Sequence, residues 1–471
     1  MAVGHHRDVT VAPSAIARLR EVVGDQVLTD PELLASYTTD WTGRFVGRTP
    51  AVVRPGSTAE VAGIVAVCRR EGLALVPQGG NTGLVGGGVP LAGEVVLHLG
   101  RLDALGPVDE AAGQLTAGAG VTVAAVQAAA RTAGWSYGVD LASRDSATVG
   151  GTVATNAGGI RVLRHGATRA QVLGVEAVLG TGSVVSHLGG LVKDNTGYDL
   201  AGLLCGSEGT LGVVTAARLR LVADLPERSV SLLAFGSTGD ALAASALLRR
   251  SLPALSACEL FLDQGLQLVC STAGLRPPFT RPYAAYLLVE VADRTDPTDD
   301  LAGAVASVGR LEDAAVAGDA RGQADLWRYR EGHTEAINTL GPPHKLDVTL
   351  PLASLAEFVD RVPTTVASVD PAARTWLFGH VGDGNVHVNV SGPAPDDDRV
   401  DDAVLRLVAA SGGSISAEHG IGTAKRRWLH LARSSAELAA FRAVKAALDP
   451  DGVLNPNVLL PADDRRDRSD T

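Results

Sequence analysis

Four cysteines in 471 residues (Cys68, Cys205, Cys258 and Cys270) show no CxxC spacing and sit in apolar surroundings. They read as small buried hydrophobes in a reducing compartment, not as a disulfide framework or a zinc knuckle. No apolar stretch reaches the 18 or more residues of a membrane span, which excludes a helical anchor. His5, His6 and Arg7 have no apolar stretch behind them, so no signal peptide is expected and a cytoplasmic location follows. Lys/Arg-rich runs are missing too, and 41 basic against 52 acidic side chains leave a net charge of −11. Nucleic acid and anionic membrane surfaces are therefore poor partners. A G-x-G-x-x-G followed by an acidic residue about twenty positions on is also missing, which disfavours a nicotinamide-dinucleotide site.

What is present describes a soluble globular protein, 46% hydrophobic and 20% charged, and too long for one core. Its 55 glycines are unevenly spread. After a helix expected over Thr58–Glu71 and a strand over Leu73–Val76 comes Pro77-Gln-Gly-Gly-Asn-Thr-Gly-Leu-Val-Gly-Gly-Gly88. Val149-Gly-Gly-Thr-Val-Ala-Thr-Asn-Ala-Gly-Gly159 and Gly206-Ser-Glu-Gly-Thr-Leu-Gly212 follow, the last leading into a strand over Val213–Leu221. Glycine lets backbone N–H groups approach a phosphate closely, and three such loops suit a dinucleotide pyrophosphate better than one.

From about Asp224 the glycine loops stop. Strands are expected over Ser229–Phe235 and Tyr283–Val291 and helices over 239–250 and 298–308, a separate α+β domain. A helix from about Ala436 to Leu448, with Ser435 as N-cap, precedes Val453-Leu-Asn-Pro-Asn457, which is expected to return to the first domain. The residues from Asp463 to Thr471 are charged and expected to be disordered.

The segment Trp376-Leu-Phe-Gly-His-Val-Gly-Asp-Gly-Asn-Val-His-Val-Asn-Val390 reads as two strands around a Gly382–Asn385 connection. With those four residues as the loop, His380 lies directly across from His387 on one face. Two imidazoles so placed can bind one metal ion; the alternative is a pair of hydrogen-bonded strand histidines. Ser416-Ala-Glu-His-Gly-Ile-Gly422 offers Glu418 as a third ligand, and two His plus one carboxylate with an open position is a catalytic metal pattern.

The three glycine loops resemble the FAD domain of the vanillyl-alcohol oxidase/p-cresol methylhydroxylase superfamily. The histidine hairpin and the Glu418 segment narrow the resemblance to its FAD-linked D-2-hydroxy acid dehydrogenase branch, over about Asp40 to Asn457. The resemblance implies an α+β protein: a two-subdomain FAD-binding domain (45–224, with 1–44 leading into it), a substrate and metal cap domain (225–420), and a C-terminal helical segment (421–460) returning to the FAD domain. It implies that Gly79, Gly80, Asn81, Thr82, Gly83 and Leu84 hold the pyrophosphate. Ser146, Thr148, Gly150, Gly151, Asn156 and Gly159 would line the flavin, with Glu208 and Val213 near its other end. Some relatives tether FAD through a His in the first loop; Asn81 and Thr82 stand there here, so non-covalent FAD is implied.

Trp327-Arg-Tyr-Arg-Glu-Gly-His-Thr-Glu-Ala336 and Lys345-Leu-Asp-Val-Thr-Leu-Pro351 bear on the substrate. Arg330 and Thr334, four apart, share a helical face, and Arg330 has the planar fork suited to a carboxylate while Lys345 is a point charge. The bland alternative is a solvated charged face. Arg, Thr and Lys match the D-2-hydroxyglutarate dehydrogenases of the branch, and a second cation suggests a second carboxylate. D-Lactate or glycolate oxidation is the runner-up, and an electron-relay subunit the reading from another class. A divalent metal, zinc first with manganese or iron as alternatives, is expected on His380, His387 and Glu418; His419, next to a ligand, is the expected catalytic base, and Asn389, two along from His387 on its face, is expected to hydrogen-bond the substrate or a ligand. Reoxidation is expected through an electron-transfer flavoprotein, a quinone or a similar acceptor; a homodimer is left open.

Overall fold

The structure is a computed structural model that describes residues 12–461. His5–Arg7 and the tail from Asp463, on which two of the expectations above rest, lie outside the described residues. The chain divides into two compact units. The first comprises 12–157, 167–222 and 419–461, and the second 158–166 and 223–418. The short piece 158–166, expected within the FAD domain, thus groups with the second unit, and His419 with the first. Among the described residues no helix is long and apolar enough to cross a membrane.

The first unit carries two four-stranded sheets. In one, Val95–His98 lies between Val52–Val53 and Leu75–Gln78 and runs parallel to both, with Val27–Leu28 at the edge. The helix Thr58–Glu71 begins where Ser57 accepts from the amide of Glu60 and stops at Gly72, which takes the left-handed conformation that favours glycine. Its buried stripe, Val61, Ile64, Val65 and Cys68, joins Leu75 and Leu97 in one core. The other sheet is antiparallel, in the order Gln114–Gly118, Gly212–Arg220, Val172–Leu179, Val184–Ser186. The tail does return: Leu75 donates to Val453 O (2.7 Å) and Asn455 donates to Leu75 O (2.8 Å). The last helix, Ser435–Leu448, is capped one residue earlier than expected. Ser434 and Glu437 form a reciprocal capping box there, which the Ser-x-x-Glu spacing specifies.

The second unit is built on a seven-stranded sheet. Its strands are β1 (Glu227–Phe235), β2 (Leu255–Leu262), β3 (Ala285–Asp293), β4 (Leu311–Ala317), β5 (His344–Thr349), β6 (Arg374–Gly379) and β7 (Asn385–Ser391). They lie in the order β4-β1-β3-β2-β6-β7-β5, and every neighbouring pair is antiparallel. The helices Asp263–Ala273 (α1), Ala320–Glu331 (α2) and His333–Asn338 (α3) pack with it, and Leu266, Cys270 and Ile337 share a core with Phe261, Tyr286, Trp376 and Phe378. β2 and β4 carry no alternation that stands out from the sequence, and neither was expected as a strand.

Glu208 ties the first unit together. It is a buried residue with φ 54°, and its carboxylate accepts from the amides of Ile421 (2.8 Å) and Gly422 (2.7 Å). Burial raises its pKa, and these donors and Lys425 pull it back. Glu208→Ala strands both amides, each costing about 1–3 kcal/mol when left buried and unpaired. A clear loss of thermal stability is expected by calorimetry, and a variant melting with the wild type would refute the clamp.

Candidate functional site

Register places the site. Tyr286 of β3, Phe261 of β2, Phe378 of β6, His387 of β7 and Asp347 of β5 stand directly opposite one another in turn. Directly opposed residues share a face, so these five side chains form one row. Two residues along, Trp376, Asn389 and Lys345 make a second row on the same face. Ring contacts run through the first row: Phe261 to Tyr286 at 5.5 Å, Phe378 to His387 at 5.1 Å, and His333 against Phe261 and Phe378 at 5.2 and 5.1 Å between centroids.

His380 is not directly across from His387 as expected; Phe378 is. β6 ends at Gly379, and the His380 carbonyl accepts from the amides of Asp383 and Asn385 (both 3.2 Å), so His380 belongs to the connection. Gly384 completes that turn with φ 89°, and a Cβ there would lie 2.5 Å from Leu350 O. The pairing is shifted by two residues, and an even shift keeps the face. The two imidazoles still meet, with ring centroids 5.2 Å apart and planes at 84°.

Glu418 joins them. One nitrogen of each histidine and one carboxylate oxygen lie within 4.8 Å of one another, and His380 Nε2 is 3.9 Å from Glu418 Oε1. Bonds of about 2 Å from nitrogen and oxygen ligands to a divalent ion would close such gaps with small movements. Space has been left for the carboxylate. A Cβ on Gly158 would lie 2.7 Å from Glu418 Oε1, and the amide of Gly159 donates to the same oxygen at 2.7 Å. Two imidazoles and a carboxylate held this way fit a divalent cation.

Two buried carboxylates that the sequence reading passed over support these groups. Asp347 Oδ2 accepts from the backbone amides of Glu418 (2.7 Å) and Ala417 (3.2 Å). Its Oδ1 accepts from Asn385 Nδ2 (2.8 Å) and lies 3.5 Å from His387 Nδ1. Glu259 of β2 accepts from Arg330 and faces His380 Nδ1 at 2.8 Å. Burial opposes its ionisation, yet the neighbouring His380 and Arg330 charges hold its carboxyl below the ordinary value. Burial would likewise depress His380, but Glu259 and Glu418 outweigh it and raise His380 to about 9. The signal that could have found Glu259 is a lone acid inside the apolar run Leu255-Ser-Ala-Cys-Glu-Leu-Phe-Leu262.

Arg330 and Thr334 do not share a continuous helix. α2 ends at Glu331 and α3 starts at His333; Gly332 between them keeps helical dihedrals (φ −65°, ψ −13°), and a Cβ there would meet Val269 Cγ1 at 2.8 Å, so the close packing requires glycine. Arg330 is buried with its guanidinium 4.6 Å above the Phe378 ring, whereas Thr334 is exposed. His333 is a packing residue, driven down to about 3 by burial and by Arg330, and Glu331 is exposed. Lys345 is half-buried, with its pKa lowered by that burial. Asn389 Nδ2 is buried without a hydrogen-bond partner among the described residues.

In the first unit the glycine loops form one cradle. A Cβ on Gly79 would lie 2.2 Å from Thr148 Oγ1, and one on Gly80 1.8 Å from Ser146 O, so the first two loops are in backbone contact. Among the described residues the amides of Gly80, Asn81, Thr82, Gly83 and Leu84 donate to no protein acceptor, and Asn81 holds φ 51°. Consecutive free donors of this kind fit an anionic diphosphate. Thr148 caps the helix Val149–Thr155, accepting from Gly151, and Asn156 ends it with φ 50°. Gly150 is pressed against Ala119, Val213 is a core residue, and Glu208 is the clamp described above. Gly159, expected beside the flavin, is the residue that holds Glu418 in the second unit.

A family model described as an FAD binding domain matches residues 49–187, and one described as the C-terminal domain of FAD linked oxidases matches 225–459. The chain is 38% identical over 464 residues to a D-2-hydroxyglutarate dehydrogenase of Xanthomonas citri pv. viticola, covering 96% of this chain and 98% of that protein. A mitochondrial D-2-hydroxyglutarate dehydrogenase of Arabidopsis thaliana is 35% identical over 460 residues, 95% of this chain and 81% of that one. Among solved structures, p-cresol methylhydroxylase with substrate bound aligns at a TM-score of 0.74 and 16% identity, covering 94% of this chain and 96% of that one, a likeness of fold.

Overpacking of the kind a Gly80 side chain imposes costs about 1–3 kcal/mol. Gly80→Ala should therefore lose both FAD content and thermal stability. Gly83→Ala, whose Cβ meets nothing within 4 Å, should lose FAD content while the apoprotein melts with the wild type. Flavin-to-protein ratios and melting curves of the two variants check this, and equal behaviour would rule the cradle out.

Proposed function

The chain belongs to the FAD-linked D-2-hydroxy acid dehydrogenases, and from that premise we propose that it oxidises D-2-hydroxyglutarate to 2-oxoglutarate. The observation that carries the choice of substrate is the second row of the sheet face. Lys345 stands directly opposite Asn389, one step along the pleat from His387, and Asn389 Nδ2 is a buried donor in want of an acceptor. A buried unpaired amide costs free energy that a bound carboxylate or carbonyl oxygen would recover. With Arg330 as a second cation near Phe378, the face offers two positive charges to a dianionic substrate. A dicarboxylate can reach both side chains, whereas a monocarboxylate such as lactate can reach only one.

Arg330 binds one carboxylate and Lys345 the other, with Asn389 donating to a substrate oxygen. Thr334, exposed in this structure, takes part only if the substrate reaches past Arg330. His380, His387 and Glu418 would hold a divalent ion, zinc first, which would supply Lewis-acid polarisation of the substrate's oxygens and a lowered hydroxyl pKa. His419, the next residue after Glu418, takes the hydroxyl proton on its imidazole. The loops around Gly79–Leu84 and Ser146–Gly151 would hold FAD without a covalent tether, and it would supply the acceptor for the hydride that leaves the substrate carbon. An electron-transfer flavoprotein or a quinone would be the partner that accepts the electrons.

Anaerobic flavin bleaching by D-2-hydroxyglutarate, D-lactate, D-malate and glycolate tests the reading. D-2-Hydroxyglutarate should bleach fastest, and chelation should abolish bleaching until a divalent ion is restored. Loss of a hydrogen bond to a charged group, about 1.5–3 kcal/mol, corresponds to roughly 10–150-fold in kcat/KM. Lys345→Ala should lose that much on D-2-hydroxyglutarate and little on D-lactate. Equal losses on both would overturn the substrate assignment and leave the dehydrogenase itself standing.

A further inference from the structure

We propose that Glu259 is a positioning residue that serves two groups at once: it fixes the tautomer and tilt of the metal ligand His380 and holds the fork of the substrate cation Arg330. The inference rests on the metal reading above and extends it to a residue outside the ligand set.

The contacts divide cleanly between the two carboxylate oxygens. Glu259 Oε1 faces His380 Nδ1 at 2.8 Å. Glu259 Oε2 accepts from Arg330 Nε at 2.8 Å and lies 2.8 Å from Nη2 as well. An arginine–carboxylate pair made only for its own sake favours the fork-to-fork form, with one nitrogen on each oxygen. Here both guanidinium nitrogens converge on one oxygen, and the other is kept for the imidazole.

An ionised carboxylate can only accept, so His380 Nδ1 must carry the proton in this contact. In the neutral ring, the form that ligates a metal, Nε2 is then the lone-pair nitrogen, and Nε2 is the atom 3.9 Å from Glu418 Oε1. The tautomer that Glu259 imposes is therefore the one that points a ligand lone pair toward the third ligand. A carboxylate behind a ligating histidine orients the ring and raises its basicity.

Register explains why this residue reaches. β2 pairs with β6 through Phe261 opposite Phe378 and Leu260 opposite Gly379. The same antiparallel alternation, carried two residues further, sets Glu259 toward His380 on the face of Phe261 and Phe378. Glu259 is only 1% exposed. A carboxylate so buried in an apolar strand is tolerated only when paired and hydrogen-bonded.

Zinc affinity by competition with a chromophoric chelator, on the flavin-loaded full-length protein, tests the proposal, together with the visible spectrum of the cobalt-substituted protein. Glu259→Leu combined with Arg330→Leu removes both charges and leaves neither buried alone. It should bind zinc about 10–100-fold more weakly, as loss of such partners does elsewhere, and shift the cobalt bands. Arg330→Leu alone keeps the Glu259–His380 contact and should retain zinc affinity within about threefold of the wild type, while raising KM for D-2-hydroxyglutarate. Should the double variant fail to fold, Glu259→Gln, isosteric and neutral, carries the same test with about a tenfold loss expected. Wild-type zinc affinity and an unshifted cobalt spectrum in the double variant or in Glu259→Gln would overturn the inference while leaving the metal reading intact. A wild-type protein that takes up no divalent ion would overturn the metal reading and this inference with it.

Discussion

Phe261, Phe378, His387 and Asp347 oppose one another across four strands, and Glu259, Asn389 and Lys345 each lie two residues from a member of that row. Side chains alternate along a strand, so every even step stays on the face and every odd step leaves it. The whole polar site of the second unit depends on that parity. Inserting one residue into β2, β6 or β7 would turn a carboxylate or an imidazole toward the opposite side, where Leu260, Leu377 and Val388 lie buried. The aromatic contacts among Tyr286, Phe261, His333 and Phe378 make such a slip expensive, because each ring is packed against a ring on another element.

Charge then decides what the face can hold. Glu259, Asp347 and Glu418 bring three carboxylates, and Arg330 and Lys345 two cationic side chains. The elevated pKa of His380, set by Glu259 and Glu418 against the effect of burial, expresses the same excess of negative charge around the two rings. A divalent cation relieves that excess without a proton. The two cations differ in place: Lys345 lies one row on from Asp347, while Arg330, over the Phe378 ring, is paired with Glu259. Lys345 thus stands away from the two rings, while Arg330 and His380 share the carboxylate of Glu259.

Much of this was legible in the sequence, and the exceptions have physical reasons. The helix Thr58–Glu71 could be read to the residue because a side-chain cap and a left-handed glycine bracket it. His380, His387 and Glu418 were readable because glycine surrounds them and polar residues alternate with valine. The register was misplaced by two because the turn is closed on the carbonyl of His380 itself, a backbone hydrogen bond that residue types do not announce. Arg330 and Thr334 were joined on one helix because a spacing of four fits one helical face and no residue type marks the interruption between Glu331 and His333. Glu259 was passed over because β2 is apolar on both faces and shows no period of two. Its partners lie 71 and 121 residues away.

The buried Arg330–Glu259 pair is hard to justify by stability alone. Removing two charges from water costs several kcal/mol per ion, and apolar replacements of such pairs are often neutral or stabilising. A strand that reads Leu-Ser-Ala-Cys-Glu-Leu-Phe-Leu could hold a leucine at position 259 and pack as well. What an apolar residue cannot do is accept from an imidazole and so decide which ring nitrogen keeps its lone pair. The same reasoning applies to Asp347, buried between Leu346 and Val348, whose oxygens take the amides of Ala417 and Glu418 and the side chain of Asn385. Both acids sit where the core would favour carbon, and each contacts one of the two histidines. The sheet gives up apolar burial at two positions and gains a fixed orientation for both rings, a trade that makes sense only if the rings have something to hold.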